Sequence, residues 1–157
     1  VKSDAFENVK DQIGCCGIWC GSCVVGAGVL GELTRRYVDL AKGYGLEHWG
    51  PQDVDYPELY RALEAIEGAA ACVGCLKGGG RDDCELRACV SAKGISDCSV
   101  CDAQDECKHA ALLEHMRSGA LKVGLFVKTD DVPREELIEE WTAVISQRWP
   151  FRLPFEH

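Results

Sequence analysis

The sequence predicts a mainly α-helical fold with irregular, metal-clipped loops and at most one or two short strands. Apolar residues recur at helical spacing in four stretches. The cysteines fall outside the best of those stretches, in glycine-rich and polar segments.

The first helix is read from Leu33, Tyr37, Leu40, Ala41 and Tyr44, with Arg35, Arg36 and Asp39 on the opposite side and Gly43 and Gly45 as stops. Asp55 followed by Pro57 marks the start of a second, whose apolar face is Leu59, Leu63 and Ile66. A third is expected from Asp102 to Ser118, ending at Gly119, with Leu112, Leu113 and Met116 apolar. The fourth starts at Asp130 or Asp131 with Pro133 in its first turn. It carries Leu137, Trp141, Val144, Ile145 and Trp149 before Pro150 ends it. Trp49-Gly50-Pro51 reads as a turn, residues 77–83 as a flexible polar loop, and Val123 to Val127 as a short strand or core-facing coil.

The 157 residues suit a single domain, 1–157, with a core of its own. Within it, 14–116 is the cysteine-rich metal-binding region and 120–157 a strand-like segment with an amphipathic helix. The net charge is −9. Residues 72–122 hold 7 Lys+Arg and 8 Asp+Glu, so the cysteine-dense middle is near neutral before any thiol ionises. No basic stripe of the kind that contacts phosphates is present, which argues against nucleic acid as a partner. Ile13 to Gly31 is free of charge, but six glycines and four cysteines interrupt it, and Lys2, Asp4, Glu7, Lys10 and Asp11 before it are of mixed sign. A membrane span is not expected.

Eleven cysteines, an odd number, stand at 15, 16, 20, 23, 72, 75, 84, 89, 98, 101 and 107. A secreted disulfide scaffold is usually shorter and evenly paired, so these thiols point to a reduced, cytoplasmic setting and to metal. Three Cys-x-x-Cys pairs are present: Cys20/Cys23, Cys72/Cys75 and Cys98/Cys101. Two residues between thiols let one turn aim both sulfurs at a single ion. Zinc, about two ions per chain, is the expected cofactor. One site would join Cys20, Cys23, Cys72 and Cys75. In the second, Cys84, Cys89, Cys98, Cys101 and Cys107 compete for four places, with His109 a further nitrogen donor. Cys16 is also a candidate ligand, and Cys15 is the thiol expected to remain unligated.

Iron–sulfur and thiol redox chemistry are the alternatives. Cys16-x3-Cys20-x2-Cys23 is similar to the cluster motif of radical S-adenosylmethionine enzymes, although a short, mostly helical chain does not supply the barrel of those enzymes. The Cys-x-x-Cys units lack the βαβ surroundings of a thiol oxidoreductase.

The ordered series of motifs resembles a cysteine-rich family of bacterial and archaeal proteins, domain of unknown function 3795. The resemblance runs from Cys16-Gly17-Ile18-Trp19-Cys20-Gly21-Ser22-Cys23 through Cys72-Val73-Gly74-Cys75. It continues in Cys84-Glu85-Leu86-Arg87-Ala88-Cys89 with Lys93-Gly94, and ends in Cys98, Cys101 and Cys107. It covers about residues 14–116. Glu106 stands where the family often has proline, and Cys15 is extra. The resemblance implies a small soluble zinc-binding protein and no particular reaction.

Arg87 is expected to balance nearby thiolates, Trp19 to pack over a metal site, and Gly78-Gly79-Gly80-Arg81 to be a linker. Trp141 and Trp149 are expected in the core, and Glu135, Glu136, Glu139 and Glu140 on a solvated face. No catalytic constellation is evident. The function expected is that of a zinc-stabilised binding or interaction module with a protein or small-molecule partner.

Overall fold

The computed structural model describes residues 9–69 and 72–153. Lys2, Asp4 and Glu7, and the last four residues of the expected C-terminal segment, lie outside the described residues. Six α-helices follow one another: α1 (Val29–Gly43), α2 (Leu46–Trp49), α3 (Tyr56–Glu67), α4 (Glu85–Lys93), α5 (Ala110–Lys122) and α6 (Arg134–Ile145). Single 3₁₀ turns at Cys20–Ser22 and Cys98–Val100 lie within two of the Cys-x-x-Cys pairs, and a third, Cys75–Lys77, begins at the last cysteine of the Cys72/Cys75 pair. The described residues contain two isolated antiparallel bridges, Ile13 with Trp19 and Ile18 with Val127, and no sheet.

The α1–α3 hairpin has its own core. Val38 and Ala41 of α1 meet Tyr56 and Tyr60 of α3, with Leu46, Leu59 and Leu63 around them. Asp55 accepts from the Glu58 N–H at 3.0 Å, and Pro57 sits in the first turn, so α3 begins where the sequence signals it. The covered face of α1 differs from the expected one. Val29, Thr34, Val38 and Ala41 are buried, whereas Tyr37, Leu40 and Tyr44 are exposed, as is Trp49 on α2. Two apolar stripes run along α1, and α3 covers the other one.

The second core is aromatic. Trp19, 2 % exposed, lies with its ring centroid 5.9 Å from Phe126 and 5.7 Å from Trp141. Phe126 stacks on Trp141 at 5.4 Å, and Ile13 and Ile145 close the cluster. The indole N–H donates to the Lys10 carbonyl at 2.6 Å, satisfying its one polar atom. Trp19 therefore packs into the aromatic core. Trp141 is buried as expected, and Trp149 is exposed because α6 ends at Ile145.

Backbone bonds tie the Trp19 knuckle to the segment after α5. The Trp19 N–H donates to the Phe126 carbonyl at 2.9 Å and the Lys128 N–H to the Gly17 carbonyl at 2.8 Å. Gly17 has φ +94°, and a Cβ there would stand 2.2 Å from the Lys128 carbonyl oxygen, so the approach requires glycine. Val123 to Val127 thus contributes one bridge residue and no strand. The helix α5 starts at Ala110, eight residues after the expected Asp102, and runs through Gly119 to Lys122. Its stop is followed by Gly124 at φ +83°.

A buried ion pair fixes the third cysteine turn to the same segment. Lys128 Nζ lies 3.1 Å and 3.3 Å from the two Asp97 carboxylate oxygens, with the lysine and aspartate side chains 3 % and 7 % exposed. Asp97 also accepts from the Ser99 N–H at 2.8 Å, capping the turn that holds Cys98 and Cys101. Burial opposes the Asp97 charge, but the Ser99 and Lys128 hydrogen bonds prevail and hold its carboxyl below the usual range.

Trp19→Ala is expected to cost about 3–5 kcal/mol through the cavity it leaves, read as a lowered denaturant midpoint. Lys128→Met, which strands a buried carboxylate, should cost a similar ~3–5 kcal/mol, with Asp97→Asn added to it recovering part of the loss.

Candidate metal centre

All eleven cysteines are among the described residues, and none is in a disulfide. They form two neighbourhoods, and the elements just described bring them there. The first gathers the knuckle at 15–23 and the turn at 72–75. Gln12, fully buried, joins the two segments: its Nε2 donates to the Val73 carbonyl at 3.0 Å and its backbone carbonyl accepts from the Cys20 N–H at 2.9 Å. Gly74 has φ +84°, and a Cβ there would stand 1.9 Å from Gln12 Oε1. The glycine of the Cys-x-Gly-Cys motif is needed for that approach.

The Cys20 thiol is pushed up to about 12, first by burial and then by the charges of Cys75, Cys72 and Cys23. Those three neighbours and Cys20 itself are the four residues grouped from sequence spacing. N–H···S contacts of 3.4 Å run from Gly74 to Cys72 and from Cys15 to Cys75, the kind of contact that spreads thiolate charge.

Cys15 is 3 % exposed and belongs to this neighbourhood. Its thiol donates to the Cys75 sulfur, which lowers Cys75 to about 6. Its N–H and the Arg87 guanidinium act in the same direction, against burial. The same hydrogen bond pushes Cys15 up, so the pair holds one negative charge, on Cys75. Arg87 also donates to the carbonyls of Cys75, Gly79, Arg81 and Asp82 at 2.8–3.2 Å. It closes the 75–82 loop on itself and supplies a cation to the thiolate, as its place between Cys84 and Cys89 suggests.

The second neighbourhood surrounds a cavity of about 350 Å³ between α4, the 98–101 turn and α5. Cys89, Cys98, Cys101 and Cys107 line it, and Cys84 does not. Cys84 acts instead on the charges of Cys15 and Cys16, beside the first group. Cys98 is pushed up to about 11, chiefly by burial; Arg117 pulls it down, and Cys16, Cys107 and Cys89 add to the rise. Cys16 is raised by burial and has Cys75 and Cys84 as charged neighbours, so it stands between the two groups. Cys101 is lowered by the Ala103 N–H and by Lys93, whose Nζ lies 3.1 Å from its sulfur.

His109 also lines the cavity, and its Nδ1 is 3.0 Å from Glu85 Oε2. A carboxylate on one ring nitrogen is the usual partner of a ligating imidazole and leaves the other nitrogen available. Glu85 is the residue that sequence spacing missed. It lies 24 positions from His109, and nothing in a helical period connects them. Soft, charge-stabilised thiol donors fit zinc or iron by chemistry. Among the described residues, no three Cys, His, Asp or Glu side chains stand in a metal-holding arrangement. The donors are gathered into neighbourhoods without being closed on one point.

In the metal-free protein, alkylation of Cys75 should follow a midpoint near pH 6, and Cys15→Ala should move it up towards the ordinary thiol value of 9.0. Because the folded thiol titrates below the unfolded one, its contribution to stability is complete above the ordinary value. It is lost as the pH falls through about 6. Peptide mapping of iodoacetamide adducts against pH measures the midpoint.

No helix among the described residues is long and apolar enough to cross a membrane. No curated protein and no solved structure matches the chain significantly. Residues 12–112 match the family described as protein of unknown function DUF3795. That span starts at the glutamine that joins the first two cysteine segments and includes every thiol from Cys15 to Cys107. In agreement with the ordered motifs, the chain belongs to the DUF3795 family.

Proposed function

We propose that this chain is a thiolate metal-binding protein in which Cys20, Cys23, Cys72 and Cys75 hold a zinc ion. The observation that supports it is the neighbourhood of Cys20, whose charged neighbours are the other three thiols although 48 residues separate Cys23 from Cys72. Zinc accepts four thiolates in tetrahedral geometry without redox demands, and such a site is a staple. It joins the amino-terminal knuckle to the turn before α4. The chain then serves as a metal-stabilised binding or interaction module for a protein or small molecule. The exposed apolar edge of Tyr37, Leu40, Tyr44 and Trp49 supports that role.

Thiol redox chemistry is the second reading, and one observation favours it. A buried Cys15 thiol contacts a Cys75 sulfur that is held as thiolate, the arrangement of an attacking and a resolving thiol.

Elemental analysis of protein isolated without chelator tests the choice. Zinc is expected, with Cys72→Ser lowering it by about one ion per chain and loosening the 14–75 region to proteolysis. Unchanged zinc in Cys72→Ser rejects this ligand set. A metal-free native protein whose Cys15 and Cys75 form a reversible disulfide supports the second reading instead.

A further inference from the structure

Cys98 and Cys101 belong to one turn, and both line the cavity between α4 and α5. The Cys101 N–H donates to the Cys98 carbonyl at 3.4 Å and closes that turn. A turn of this kind holds its first and last Cα atoms within about 7 Å, and a disulfide spans Cα atoms roughly 4.4–6.8 Å apart. The two sulfurs are thus within bonding reach of each other with little backbone movement. The turn is also held from behind. Asp97 accepts from the Ser99 N–H and pairs with the buried Lys128, and the Cys98 N–H donates to the Cys15 carbonyl at 2.8 Å.

The two thiols have different surroundings. Lys93, exposed in the last turn of α4, places its Nζ 3.1 Å from the Cys101 sulfur, and the Ala103 N–H donates to the same atom. Both contacts stabilise an anionic sulfur, the form that attacks. At Cys98 burial prevails over the pull of Arg117, so that thiol keeps its proton. The cavity of about 350 Å³ gives a small molecule access to both, with Leu86, Val90, Ile95 and Leu113 as an apolar wall to lie against.

We propose that Cys98 and Cys101 form a dithiol–disulfide couple that exchanges with organic disulfides entering this cavity, Cys101 attacking and Cys98 resolving. It gives this turn a role apart from metal, and it is independent of zinc at Cys20, Cys23, Cys72 and Cys75. The Cys101 thiolate attacks one sulfur of a disulfide R–S–S–R. That S–S bond breaks, a mixed disulfide Cys101–S–S–R forms, and RS⁻ departs. The Cys98 sulfur then attacks the Cys101 sulfur, its proton passes to a departing RS⁻, and the second RS group leaves. The turn ends as a Cys98–Cys101 disulfide, oxidised by two electrons, and the substrate as one thiol and one thiolate, reduced by two. Lys93 loses its charged partner in that step, so it favours the dithiol and makes the couple more oxidising.

The test uses the full chain isolated without chelator, so that zinc of the first group is retained, and oxidised glutathione as the probe. In buffers of mixed reduced and oxidised glutathione, peptide mapping by mass spectrometry should find a Cys98–Cys101 disulfide in the unmodified chain, formed without loss of zinc. Cys98→Ser should trap glutathione on Cys101, and Cys101→Ser should abolish both products. Lys93→Met should slow the trapping several-fold and lower the reduction potential of the pair while the denaturant midpoint of the reduced protein stays unchanged. A merely structural lysine would move the midpoint and leave the potential alone. Glutathione captured first by Cys89 or Cys107, or a mixed disulfide at Cys101 that Cys98 does not displace, overturns the couple. So does zinc that holds Cys98 and Cys101 and blocks the exchange. Unchanged zinc in Cys72→Ser, with the exchange intact, rejects the ligand set of the first group and leaves the couple standing.

Discussion

Burial of the Trp19 indole between Phe126 and Trp141 is the interaction on which the placement of the thiols depends. Trp19 sits between Cys16 and Cys20, so anchoring its ring fixes the backbone from which both sulfurs project. The paired backbone bonds to Phe126 and Lys128 hold that knuckle against the 125–128 segment. The same segment, through Lys128 and Asp97, then positions the turn carrying Cys98 and Cys101. One apolar contact and one buried ion pair thus bring two cysteine turns, far apart in the sequence, to either side of a common support. The thiols need not supply the energy that assembles them, and a preassembled donor set meets a metal with less ordering left to do.

The sulfur electrostatics follow from that assembly. Crowding and burial raise Cys20 and Cys98, because a second ionised thiol beside a first in a partly dry site is unfavourable. Cys75 alone is drawn strongly the other way, since a thiol, an amide and a guanidinium all face it. A cation entering the first neighbourhood would therefore find one thiolate ready and would displace protons from the others. Metal capture by such a set releases protons and weakens as the medium becomes acidic.

Much of this was legible in the amino acids. The Asp55–Pro57 signal marked the start of α3, and the ordered cysteine motifs identified the family. The failures have physical causes. Periodicity on α1 could not say which of two apolar stripes would be covered, because that depends on where α3 lands. The helix α4 was missed because it is short and only Leu86 and Val90 mark its buried side. The apolar spacing of Leu112, Leu113 and Met116 marks the body of α5 but not its start, and residues 102–109 form turns before the helix begins at Ala110. Cys84 looked equivalent to its neighbours in spacing, but it stands at the N-terminal end of α4 and does not line the cavity. The Glu85–His109 and Asp97–Lys128 contacts pair residues that no local pattern relates.

The matched family span ends inside α5, whereas Trp141 and Ile145, which cover the indole, come from α6. A boundary drawn by similarity alone would cut through a cooperative unit and leave the tryptophan of the cysteine knuckle facing water on one side. Any relative that lacks an equivalent of α6 must shelter that ring with another chain segment or a partner subunit, or carry a smaller residue there. The extent of this protein's folding unit is set by what a single aromatic side chain requires, and it is larger than its recognisable motif.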